Sequence, residues 1–106
     1  MLKRGNQLLV FYTMVGEEPP ESILVSEIDL SDDWHDWRPS KPQFVLKPEF
    51  DWEGASNPLE PSQRGIIVPP VNQLRDPAIF VDDDSLYLLY AVAGEQGIAV
   101  AELELN

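Results

Sequence analysis

Residues 8–17 and 86–95 read Leu-Leu-Val-Phe-Tyr-Thr-Met-Val-Gly-Glu and Leu-Tyr-Leu-Leu-Tyr-Ala-Val-Ala-Gly-Glu. Aligned end to end, they share Leu, Tyr, Gly and Glu in place. Both are apolar at odd and even positions alike, and both stop at glycine. Short apolar runs closed by a turn residue read as strands buried on both faces. A one-sided sheet would alternate apolar with polar. Each run is followed by a second strand, residues 23–30 and 98–105, which keep Ile, Val, Glu and Leu in register. The second hairpin is three residues shorter between its strands, where hairpins tolerate deletion. Chance patterning can produce two similar hairpins, but the Gly-Glu turn kept in register favours a true repeat.

Further strands complete each unit. Residues 42–47, opening with Pro42, suit an edge strand. Residues 78–81 form a strand that turns at Asp82, Asp83, Asp84 and Ser85. No stretch has helical periodicity, and residues 31–39 hold one helical turn at most. The expected class is all-β, with antiparallel sheets of the kind that make up β-propeller blades. Residues 1–106 form one β module. A partial first blade spans 6–48, starting on its second strand, and a partial second blade spans 75–106. The connection, 49–74, is rich in proline and long enough for an extra strand pair. Loops of that length inside a domain are usually functional or disordered. Fewer than two full blades fall short of the roughly 4–8 that close a propeller.

The chain has 106 residues, 19 acidic against 7 basic, and a net charge of -12. That surface repels nucleic acid and anionic lipid, and it tolerates neutral sugars, cations or basic partners. Solubility alone also accounts for it. No run approaches the roughly 20 apolar residues of a membrane helix. The basic start, Met1 to Gly5, passes into an alternating strand without a small-residue cleavage site, so no signal peptide is read. The compartment is unassigned. There is no cysteine and a single histidine, His35. Thiol chemistry is excluded, and a zinc site would need an uncommon carboxylate set. No cofactor is expected: phosphate-binding glycine loops and nucleophile elbows are both missing.

The candidate chemistry lies in carboxylates and aromatics. Asp76, in Arg75-Asp76-Pro77, stands at the start of a strand, where a propeller would face it into the central channel. A carboxylate there stabilises a developing oxocarbenium ion; a structural Asp-Pro turn is the plainer reading. Glu53 and Glu60 are carboxylates of the long connection, either general acids or solvated charges. Trp34, Trp37 and Trp52 offer faces for sugar rings, or anchor loops to the core. Asp82 to Asp84, and the acidic residues between 29 and 37, raise calcium. A tight turn supplies too few of the 6–8 oxygens calcium takes, so no metal site is expected.

Val71-Asn72-Gln73-Leu74-Arg75-Asp76-Pro77-Ala78-Ile79-Phe80, the acidic turn after it and Leu86-Tyr87-Leu88-Leu89-Tyr90 together resemble a blade of the five-bladed β-propeller glycoside hydrolases. That group holds arabinanases, β-xylosidases and invertases. Residues 29–37 are similar to the loop leading to the family's outer strand. The resemblance implies three catalytic carboxylates on different blades. It gives Asp76 the role of transition-state stabiliser or modulator of the acid, and it sets Arg75 beside the substrate. The general acid is then Glu60 or Glu53, with Trp52 and Glu53 near the sugar. One chain does not visibly supply both carboxylates that must flank a glycosidic bond. The expectation is a propeller-hydrolase fragment, inactive alone. The alternative is a non-catalytic carbohydrate-binding or assembly module. Truncated blades leave open strand edges, so a homo-oligomer is expected.

Overall fold

A computed structural model describes residues 1–31 and 33–105. It is all-β. Four antiparallel strands, β1 (Leu2–Arg4), β2 (Gln7–Tyr12), β3 (Ile23–Asp29) and β4 (Gln43–Leu46), lie in chain order in one sheet. β5 (Arg75–Asp82), β6 (Ser85–Val92) and β7 (Gly97–Leu103) form a second, three-stranded meander. The helical content described is two single 3-10 turns, Trp34–Asp36 and Asp51–Glu53.

The strands differ from expectation at their ends. β1 precedes the run read as the first strand, pairing Leu2 with Leu9 and Arg4 with Gln7. It is three residues long and ends in Lys3-Arg4, so it carries no hydrophobic signature. Its turn uses Gly5 at φ 58°. β2 stops at Tyr12, and Thr13 to Val15 belong to the turn. β5 begins three residues earlier than its apolar core, at Arg75. The long connection adds no strand pair. It contributes the second 3-10 turn and a single parallel bridge between Gln73 and Glu21.

The two sheets pack face to face. Ile23, Leu74, Leu88, Tyr90 and Val92 form the buried cluster, with Phe11, Val45, Leu46, Ile79, Ala99, Ala101 and Leu103 packed around it. Alternation explains the choice of side chains: Leu88, Tyr90 and Val92 share one face of β6, and Tyr87, Leu89 and Ala91 share the other. Each large aliphatic fully buried here contributes about 1.5–3 kcal/mol. Only one face of the second sheet is covered. On the other, Phe80 is 57%, Val100 60% and Ile98 79% exposed.

The repeated Gly-Glu turn has a physical basis. Gly16 and Gly94 both sit at positive φ, 78° and 81°. Only glycine adopts that conformation freely, so both hairpins require it. Around Gly94 a Cβ would also lie 2.9 Å from side-chain carbons of Ile67 and Val71.

Candidate functional site

The start of β5 is irregular for a reason visible in its sequence. Arg75 pairs with Ala91, but Ala78 pairs with Leu89, so β5 carries one residue more than its partner. Asp76-Pro77 is therefore a β-bulge. Proline has no N–H for the ladder, and a bulge is where a strand tolerates it. Proline also pushes the residue before it out of the right-handed helical region. Asp76 takes φ 54° instead, a conformation aspartate accepts better than most residues. The bulge re-aims the side chains. Arg75 turns inward, and Asp76 turns to solvent. Among the described residues the Asp76 carboxylate has no hydrogen-bond or ion-pair partner. It lies at a groove of about 570 Å³ shared with Ala78, Leu89, Ala91, Glu95 and Ile98. Glu95 is a second carboxylate at this groove, one the sequence reading did not single out. Its Oε2 accepts from the Ile67 amide at 2.7 Å.

Arg75 does not face that groove. It is 7% exposed, and its Nε lies 3.0 Å from Glu21 Oε2. This is an ion pair by distance, without an aligned Nε–H hydrogen bond. The two terminal nitrogens donate to the carbonyls of Gly65 and Gln63, at 2.8 and 2.7 Å. The guanidinium thus ties the long connection to the sheet junction. Glu21 is 5% and Gln73 1% exposed, and each leaves a side-chain oxygen, Oε1, unpartnered. The spacing of residues 21 and 75 gives no hint of the pair. It exists because the bridge to Gln73 brings Glu21 beside β5.

Glu53 is also buried, at 2% exposure. Its Oε1 accepts from the amides of Glu49 and Phe50, at 3.0 and 3.1 Å. Its Oε2 accepts from the Tyr90 hydroxyl at 2.7 Å. Its carbonyl accepts from the Ala93 amide at 2.8 Å. Burial, then the hydrogen bond to Glu53 and the charge of Glu53, push the Tyr90 hydroxyl far up from its ordinary value. Glu53 is saturated with donors and fastens the connection to β6. Gly54, beside it, is equally constrained: a Cβ would stand 2.5 Å from the Val71 carbonyl oxygen.

Trp52 points the other way. It is 56% exposed and stacks on Phe50, 52% exposed, at 5.3 Å between ring centres and 6° between planes. Glu60 is exposed on the connection and does not line the groove at Asp76. Trp34 is 66% exposed and stacks on His35 at 3.7 Å. Asp33 caps that turn; the backbone N–H of His35, then its ring, hold the Asp33 carboxyl below the usual range. Of the acidic residues raised for calcium, Asp32 lies outside the described residues. Asp83 and Asp84 form a tight exposed turn with Asp83 at φ 52°. Among the described residues no group of three or more His, Asp or Glu side chains is placed to hold a metal ion, and no helix is long and apolar enough to cross a membrane.

The chain is similar to an uncharacterized protein of Acanthamoeba polyphaga mimivirus, with 44% identity over 106 aligned residues. The match covers 97% of this chain and 29% of the viral protein, so the chain spans less than a third of that relative's length. No family model and no solved structure matches the chain.

Proposed function

We propose that these two sheets are consecutive blades of a carbohydrate-active propeller of the glycoside hydrolase type, and that Asp76 is its carboxylate at the sugar. The observation that carries this reading is the bulge at the head of β5. It holds an unpartnered aspartate at positive φ, on the second unit of a repeated antiparallel meander. Bulges re-aim side chains at functional sites, and a non-glycine residue at positive φ is a strained conformation that clusters there. A carboxylate so placed lowers the energy of positive charge developing on a sugar ring. Hydrolysis also needs an acid on the far side of the bond. Glu53 is buried among donors, Glu60 does not line the groove at Asp76, and the Glu95 carboxylate accepts from Ile67. The chain alone is therefore inactive as a glycosidase.

The test uses the 106-residue chain with aryl arabinosides, xylosides and fructosides, and with an array of their oligosaccharides. The expected result is no turnover, together with array binding that Asp76→Asn abolishes in a variant that melts like the parent. Turnover by the chain, or binding indifferent to Asp76→Asn, contradicts the reading.

The parallel-stacked, exposed Phe50–Trp52 pair favours a second reading, a non-catalytic sugar-binding module. Exposed aromatic faces present the flat apolar surface that sugar rings stack on. Binding lost in Trp52→Ala but kept in Asp76→Asn selects it.

A further inference from the structure

The repeat places Leu9, Phe11, Ile23 and Val25 of the first sheet where Tyr87, Leu89, Ile98 and Val100 stand in the second. On the first sheet this face, the front, is covered. Leu9 is 4% and Ile23 0% exposed, and Phe11 packs on the core. What covers it is the opposite face of the second sheet, its back, through Leu88, Tyr90, Ala99 and Ala101. Those four residues repeat Val10, Tyr12, Leu24 and Ser26, the back of the first sheet. The sheets are thus stacked front on back, both facing the same way. The stack does not end in a polar face. The front of the second sheet pairs Leu89 with Val100, Ala91 with Ile98 and Phe80 with Tyr87, and it is bare.

We propose that this bare front seats the back face of a second copy of the chain, so that copies stack head to tail. The contact would continue an interface already present once inside each chain, made by residues at equivalent positions. Every copy carries the residues of both halves; on the back half Phe44 is exposed and Val10 and Tyr12 are half-buried, while Leu24 and Ser26 are already buried beneath them. Such a contact is heterologous: each copy uses two different surfaces, and the assembly closes into a ring or extends. The inference stands on the repeat and on which faces are buried; the front includes Leu89, Ala91 and Ile98 of the groove beside Asp76, so a docked copy and a sugar in that groove exclude each other. Each chain carries net charge -12. Copies repel at low ionic strength, and screening lets the apolar faces meet. A basic partner at the same face would show the opposite salt dependence.

Two variants test the directionality. Val100→Glu spoils the front and Val10→Glu spoils the back; Phe44→Glu, at a residue 66% exposed opposite Leu24, serves for the back if Val10→Glu fails to fold. Light scattering behind size exclusion, at several concentrations and salt levels, reads the mass. The expected result is a wild-type oligomer favoured by salt, and variants that associate at least about tenfold more weakly and elute as folded monomers. A mixture of front and back variants gives a one-to-one dimer, since one intact front meets one intact back. A monomeric wild type overturns the proposal. So do an oligomer unmoved by Val100→Glu, a mixture that stays monomeric, and association that weakens with salt.

Discussion

Glu53→Ala is the substitution that most sharply separates a structural carboxylate from a catalytic one. The side chain is 2% exposed and accepts three hydrogen bonds, from the amides of Glu49 and Phe50 and from the Tyr90 hydroxyl. A bond to a charged acceptor contributes about 1.5–3 kcal/mol. The three share one group and do not add, and water entering the vacated space recovers part of the loss. Breaking a buried charged network typically costs about 3–5 kcal/mol. A domain of this size is stable by only about 5–15 kcal/mol, so the variant loses a large part of its margin. Urea unfolding followed by far-ultraviolet circular dichroism reads the change as a lower midpoint at unchanged slope. Glu53→Gln keeps an oxygen for the two amides and loses less than alanine does. Tyr90→Phe leaves Oε2 short of a donor, at about 1–3 kcal/mol. A Glu53→Ala variant within about 1 kcal/mol of the parent refutes the assignment, because three lost charge-assisted bonds cannot leave stability unchanged.

Tyr90 makes a pH prediction. Its hydroxyl titrates higher folded than unfolded, so the stabilisation is complete below about pH 10 and is lost as pH rises from there toward the folded value; melts across that range should show the loss in the parent and not in Tyr90→Phe. Arg75→Ala strands the buried Glu21 charge and releases the carbonyls of Gln63 and Gly65, and calorimetry should register a loss of about 3–5 kcal/mol. Asp76→Asn, by contrast, removes a carboxylate with no partner, and its unfolding free energy from urea titration should stay within about 0.5 kcal/mol of the parent.

The strands were legible because their cause is local. Runs such as Leu86 to Val92 are continuously aliphatic or aromatic, and Gly16 and Gly94 mark turns that need positive φ. What escaped is set by distance along the chain. β1 is too short and too charged to carry a pattern. Apolar residues on both faces of β6 suggest double burial, yet the β6 residues in the buried cluster between the sheets are Leu88, Tyr90 and Val92, all on one face. For the site, Arg75-Asp76-Pro77 was singled out as one motif. The bulge divides it, sending Arg75 into the sheet junction and Asp76 to solvent. Glu53 looked like a loop charge and is among the most buried residues, because Tyr90, far along the chain, comes back to meet it. Such pairings exist only after the sheets have stacked, and no periodicity announces them.

The assignment of faces underlies both proposals, and methyl nuclear Overhauser contacts in a labelled sample measure it directly. Leu88 methyls should show contacts to Phe11 and Ile23, with Leu89 methyls meeting Val100 across the sheet and nothing from the first sheet. A one-residue slip would exchange the two faces of β6. Contacts from Leu89 to Phe11 and Ile23, with Leu88 turned away, would contradict the front-on-back stack and the groove at Asp76 together.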